Sequence, residues 1–140
     1  MGVFFYGGRR SFEQVYAFEQ NGDNVQLINQ SASVNGYSNL TTITGTVGET
    51  IQLSEHPVPD VVLMDIEGWE LTALEQAKAV LQHDAVWIVE VHTPAMLGED
   101  APDNDPDEIR NLFEEFDYYV KKINEGRGDN YHLLAVPDAG

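Results

Sequence analysis

The sequence predicts an α/β domain: a mostly parallel sheet covered by helices, with an antiparallel last strand. Three observations predict it. Short apolar runs alternate with helix-period segments across short connections. Several of the runs stop abruptly at carboxylates, as strands do where an open α/β sheet meets a ligand crevice. The last two strand patterns are separated by a turn alone, which makes them antiparallel neighbours. At 140 residues, the chain reads as a single domain able to bury about two-thirds of the surface of its unfolded form.

The first strand is Val15-Tyr-Ala-Phe, ending in Glu19. Asn21-Gly22-Asp23 leads into a helix from about Asn24, with Val25, Leu27, Ile28 and Val34 on its apolar side and Asn35-Gly36 as its stop. Two β-rich stretches follow, Leu40 to Thr46 and Thr50 to Leu53. The prolines of Glu55-His-Pro-Val-Pro59 forbid a helix and deliver the chain into a strand from Asp60 to Met64.

After Gly68, Leu71, Leu74, Ala77 and Leu81 recur at helical spacing, with Glu75 and Lys78 turned to solvent. Ala85 to Val91 is an apolar strand. Thr93 to Asp105, rich in Pro, Asp and Gly, reads as a mobile loop over the strand ends, with the composition of a lid. Asp105 caps a helix with Pro106 in its first turn and Glu108 three residues after the cap, and that helix runs to about Phe116. Tyr118 to Ile123 and Tyr131 to Val136 flank the turn-rich Asn124 to Asp129.

Composition narrows the function classes. Asp and Glu number 24 against 7 Lys and Arg, a formal net charge of -17, which disfavours nucleic acid as a partner. Such a surface repels itself in dilute buffer and is screened by salt, so the reading is a soluble halophilic protein of a salt-rich cytoplasm, with an ordinary acidic protein as the alternative. The absence of cysteine excludes disulfides, thiolate metal sites and cysteine nucleophiles. No apolar run has membrane-spanning length, and the N-terminus places its apolar residues before its basic ones, the reverse of a signal peptide.

The chemistry concentrates at three strand ends: Glu19; Asp65 and Glu67; Glu90 and His92. A charge buried there without a partner costs several kcal/mol, roughly, so acids in these places read as a site. Glu90 and His92, two apart, share one face of a strand, and Glu90 is placed to orient the imidazole or raise its pKa. A histidine of near-neutral pKa suits proton abstraction, which makes His92 the candidate base. A different chemistry fits the same residues: Asp65, Glu67, Glu90 and His92 are oxygen and nitrogen ligands suited to Mg or Mn, as in a divalent-metal hydrolase. Asp65 and Glu67 are also placed to cap the helix that follows. His56, His83 and His132 have no such partner in sequence and read as structural.

Val15-Tyr-Ala-Phe-Glu19, Asn24 with Leu27, Asn35-Gly36, Pro59-Asp-Val-Val-Leu-Met-Asp-Ile-Glu-Gly-Trp-Glu70 and Ile88-Val-Glu-Val-His92 together resemble the FkbM family of S-adenosylmethionine-dependent methyltransferases, from about Val15 to Val136. The resemblance implies a Rossmann-like methyltransferase sheet, S-adenosyl-L-methionine as cofactor and O-methylation of a hydroxyl on a sugar or other small-molecule acceptor. It implies that Glu19 accepts hydrogen bonds from the ribose hydroxyls, that Asp65 and Glu67 lie beside the sulfonium and the acceptor, and that Gly68 permits close backbone approach. Asp65 and His92 are then the catalytic pair and Glu90 a supporting residue.

One departure stands out. In nucleotide-binding sheets the ribose acid follows a glycine-rich turn by about 20 residues, so with Glu19 in that role the turn and its strand fall before Met1. The expectation is an N-terminally truncated domain whose exposed sheet edge invites homo-oligomers. A non-catalytic remnant or binding subunit of the same fold is the corresponding alternative.

Overall fold

A computed structural model of the protein describes residues 12–93, 96, 104–127 and 130–138. The elements run β1 (Val15–Glu19), α1 (Gly22–Asn35), β2 (Leu40–Thr44), a 3-10 turn (Leu53–Glu55), β3 (Val61–Met64), α2 (Glu70–Gln76), α3 (Lys78–Leu81), β4 (Val86–Val91), α4 (Pro106–Glu115), β5 (Tyr118–Arg127) and β6 (Asn130–Pro137).

These strands form two sheets. β1 and β2 pair in parallel, from Val15 opposite Leu40 to Glu19 opposite Thr44, with α1 as the crossover that parallel neighbours require. The second sheet has the order β3-β4-β6-β5. β3 and β4 are parallel across α2 and α3, and β6 runs antiparallel to both β4 and β5. Only β6 opposes the direction of its sheet, as the short final connection predicts. Between β1 and β3 lies a cavity of about 480 Å3 lined by Tyr16, Phe18, His56, Val58, Val62 and Met64, among others. The His56 ring packs 4.9 Å from that of Phe18, centroid to centroid.

The core sits on the larger sheet. Leu71, Leu74, Ala77 and Leu81 are all buried, as their spacing predicts, against Trp87, Val89 and Val91 of β4. Ile109, Leu112 and Phe113 of α4 belong to the same cluster. Trp87, Phe113 and Tyr118 stack edge to face, with centroids 5.8 and 5.6 Å apart, the geometry aromatic quadrupoles favour. Asp105 caps α4 through a 2.8 Å bond from the Asp107 backbone N–H.

Several expectations need correction. α1 starts at Gly22 because Asn21 Oδ1 accepts from Asp23 N at 2.8 Å. Its covered side is Val25, Ile28 and the buried Ala32, whereas Leu27 and Val34 are 63% and 87% exposed. Those two lie on the opposite side of a helix that turns near 100° per residue. Thr50 to Leu53 is not a strand: Thr50 N and Ile51 N both bond to Thr46 O, curling the chain so that Ile51 forms only an isolated bridge with Val47. The final strands extend beyond Ile123 and Tyr131, to Arg127 and from Asn130. Most of the expected lid, between Thr93 and Asp105, lies outside the described residues, as does the N-terminal segment.

Candidate active site

β1 delivers Glu19 to a turn that fixes both the acid and the next helix. Glu19 is buried, and its Oε1 accepts from Asn21 N at 2.8 Å while Asn21 itself caps α1. Its carbonyl accepts from Gly45 N at 3.1 Å, tying the end of β1 to the end of β2. Glu19, Gln20, Gly45, Thr46, Glu67 and Trp69 contribute to the walls of a crevice of about 40 Å3.

The other wall comes from the turn after β3. Glu67 and Gly68 have φ of 52° and 95°, in a region that side chains with a Cβ rarely adopt, so this sharp strand-to-helix turn needs its glycine. The turn leaves Glu67 exposed and Trp69 44% exposed, and drives Glu70 into the interior with no exposed surface.

Glu70 is the centre of a buried network. Both its oxygens accept from Gly68 N at 3.1 Å. Oε1 lies 2.8 Å from His92 Nδ1, and Oε2 accepts from Asn104 Nδ2 at 2.6 Å. Asn104, also fully buried, donates to the His92 carbonyl at 2.7 Å and accepts from Leu71 N at 3.0 Å. The last bond caps α2, whose N-cap Trp69 has no capping side chain. Three chain segments, the β3 turn, the end of β4 and the start of α4, are thereby held together by charge-assisted hydrogen bonds.

His92 Nε2 points the other way, 3.9 Å from Asp65 Oδ1. Burial raises the Asp65 pKa, the nearby Glu90 charge raises it further, and His92 acts in the opposite sense. Glu90 does not hold the imidazole as expected, because Glu70 occupies Nδ1; Glu90 Oε2 instead lies 3.6 Å from His132 Nε2. Side chains two apart share a face of the strand, but the His92 ring turns toward α2 where the strand ends, leaving Glu90 to the antiparallel neighbour β6.

The predicted residues thus assemble as two adjoining groups. Glu19 and Glu67 line one crevice, Asp65 Oδ1 lies 3.9 Å from His92 Nε2, and Ile66 joins the two groups along the chain. Gly68 serves both, shaping the turn and donating to Glu70. Among the described residues no three His, Cys, Asp or Glu side chains form a group that could hold a metal ion, so the hydrolase alternative has no supporting geometry. Asn104 Oδ1 takes the Leu71 N–H in the first turn of α2.

Sequence reasoning missed roles for Glu70 and Asn104. Glu70 carried a signal: it stands four residues before Leu74, a charge on the apolar stripe of its own helix. Asn104 carried none, because its partners are 12 to 34 residues away.

The fold has known counterparts. Precorrin-6y C5,15-methyltransferase from Geobacter metallireducens superposes with a TM-score of 0.62 at 17% identity, covering 89% of this chain and 66% of that one. A Streptococcus mutans protein described as a methyltransferase and solved in complex with SAH gives 0.63 at 13%, covering 88% and 75%. M. jannaschii TYW2, solved in complex with AdoMet, gives 0.55 at 18%, covering 88% and 56%. The chain therefore spans 66% of the first and 56% of the last of these proteins. A search of curated proteins finds no match. The profile of the methyltransferase FkbM domain matches residues 4–120, and with that match covering most of its length the chain belongs to the methyltransferase FkbM domain family.

Proposed function

We propose that the protein is an S-adenosylmethionine-dependent methyltransferase acting on a hydroxyl of a sugar or other small metabolite. The observation that carries the reading is Glu19: a buried carboxylate at the carboxyl end of β1, facing a crevice, in a chain of this family. A carboxylate only accepts hydrogen bonds, and ribose hydroxyls only need such an acceptor to be recognised in pairs. The carboxylates of Asp65 and Glu67 favour a cationic group at the neighbouring strand end. The residues present therefore fit the cofactor.

When bound, S-adenosylmethionine supplies an electrophilic methyl group on a sulfonium. The protein's own part is alignment and proton removal. His92 Nε2 would take the proton of the acceptor hydroxyl, and Asp65, 3.9 Å away, would steady the charged imidazolium. Trp69, half exposed at the crevice, offers a flat apolar face to a ring. The net charge of -17 supports a small-molecule acceptor over RNA.

We also read the chain as one domain that self-associates through a sheet edge. Charge and the lack of cysteine support a salt-rich cytoplasm as its setting. Titration calorimetry with S-adenosylhomocysteine in high salt tests the assignment. Wild type is expected to bind and Glu19→Ala to lose binding. No heat from wild type overturns the cofactor reading in favour of a non-catalytic domain, and unchanged binding by Glu19→Ala removes Glu19 from the site.

A further inference from the structure

The geometry points to Glu70 and Asn104 as positioning residues that hold His92 in the Nδ1–H tautomer, with Nε2 unprotonated and presented to the acceptor. The inference rests on the methyltransferase reading for its purpose, but the tautomer stands on hydrogen-bond counting alone. Every group around Glu70 other than the imidazole is a donor: Gly68 N–H reaches both oxygens and Asn104 Nδ2 reaches Oε2. Such a cage suits a carboxylate, which has only acceptors. Facing that carboxylate at 2.8 Å, His92 Nδ1 must carry a hydrogen, for a bare nitrogen would set lone pair against lone pair.

Asn104 fixes the arrangement from the other side. Its Oδ1 is committed to Leu71 N, so its NH2 group must point at Glu70 and at the His92 carbonyl. No amide flip satisfies the same partners, because it would turn Oδ1 toward two acceptors. One buried asparagine thus locks both the carboxylate and the backbone that carries the imidazole. Around the ring, the charged groups among the described residues are Glu70 at Nδ1 and Asp65 at Nε2, with Glu90 Oε2 3.6 Å from His132 Nε2.

Glutamine cannot replace Glu70 in this cage. Its NH2 would have to face Gly68 N–H, Asn104 Nδ2 or His92 Nδ1, and only the last can answer by giving up its hydrogen. Glu70→Gln is therefore expected to shift His92 toward the Nε2–H tautomer, placing a hydrogen where the acceptor's proton must go.

Imidazole 15N NMR on the full chain reads this directly. The four histidines are assigned by single substitutions at His56, His83 and His132. At pH 8, wild-type His92 is expected to show a protonated Nδ1 and an unprotonated Nε2, and Glu70→Gln to show growth of the Nε2–H form with at least a tenfold loss of methyl transfer. A wild-type ring that is Nε2–H or doubly protonated overturns the inference whatever Glu70→Gln does. So does a Glu70→Gln spectrum identical to wild type. His92→Gln separates the two layers: full methyl transfer by that variant removes His92 as the base even where the tautomer is as described, whereas loss of transfer with the wrong wild-type tautomer leaves the base and removes the clamp.

Discussion

Asp65 Oδ1 and His92 Nε2 face each other across 3.9 Å at the adjoining ends of β3 and β4. That gap is too long for a direct hydrogen bond and short enough for charge to be felt. Asp65 meanwhile sits where burial and Glu90 both oppose its ionisation. The strand ends thus hold negative charge that folding alone does not favour, a pattern common where a site awaits a cationic or proton-carrying partner.

The first prediction follows from that opposition. A carboxyl whose pKa is raised by folding binds its proton more tightly in the folded chain, so its contribution is unfavourable above the raised value and vanishes below the ordinary 3.8. Asp65→Asn removes the charge. Urea denaturation is expected to find the variant more stable than wild type at pH 7, with the difference closing as pH falls toward 3.8. A variant less stable at pH 7 would mean that Asp65 is held by a partner that offsets its burial.

Backbone geometry sets a second test. Gly48 has φ of 86°, and a Cβ there would lie 3.1 Å from Ala73 Cα and 3.3 Å from Ala73 N, backbone atoms that cannot swing aside. Gly22, in the first turn of α1, has open space around it. Gly48→Ala is expected to cost roughly 2 kcal/mol or more, while Gly22→Ala leaves stability unchanged or raises it by up to about 1 kcal/mol. Equal effects at the two positions, read by thermal unfolding, would refute the close approach of the 45–51 turn to α2.

Much of this was legible in the sequence because it depends on short-range pattern. The 3.6-residue stripe from Leu71 to Leu81, the apolar β4 and the Asp105 cap each declare themselves within one element. Leu27 and Val34 are apolar yet exposed because both lie opposite Val25 and Ile28 on the helix. Thr50 to Leu53 misled because β-forming residues cannot make a strand when Thr46 O captures their N–H groups. In the site, Asp65 and His92 were visible as polar ends of apolar runs. Alternation points to Glu90 as the partner of His92, and it fails once the strand has ended and the chain bends. Asn104 was invisible because its role exists only where three distant segments meet.

The contrast between α1 and the core gives a third prediction. Leu27→Lys adds a charged head to a position already 63% exposed and is expected to change stability by no more than about 0.5 kcal/mol. Leu74→Ala opens space at a fully buried site and is expected to cost about 2–5 kcal/mol. A large loss from Leu27→Lys would show that something covers that face of α1 in solution.

Salt should matter more here than in a charge-balanced domain. With a net charge of -17, self-repulsion opposes the compact state, and the Debye length falls from about 30 Å at 0.01 M to about 3 Å at 1 M salt. The melting temperature is expected to rise steadily with KCl over that range. Sodium gluconate at equal ionic strength should do the same, since screening ignores ion identity; a flat profile would place the acids in compensating local networks instead.

The chain's two tryptophans make the crevice observable. Trp87 is fully buried against Phe113, whereas Trp69 is 44% exposed beside Glu19 and Glu67. Acrylamide should therefore quench one component of the emission and leave the other, and Trp69→Phe should abolish the quenchable component. If the crevice receives the cofactor, S-adenosylhomocysteine will shield Trp69 and lower its quenching in wild type, with no effect on the residual emission of Trp69→Phe. Binding by calorimetry without any change in Trp69 quenching would move the ligand away from this wall, toward Asp65 and His92.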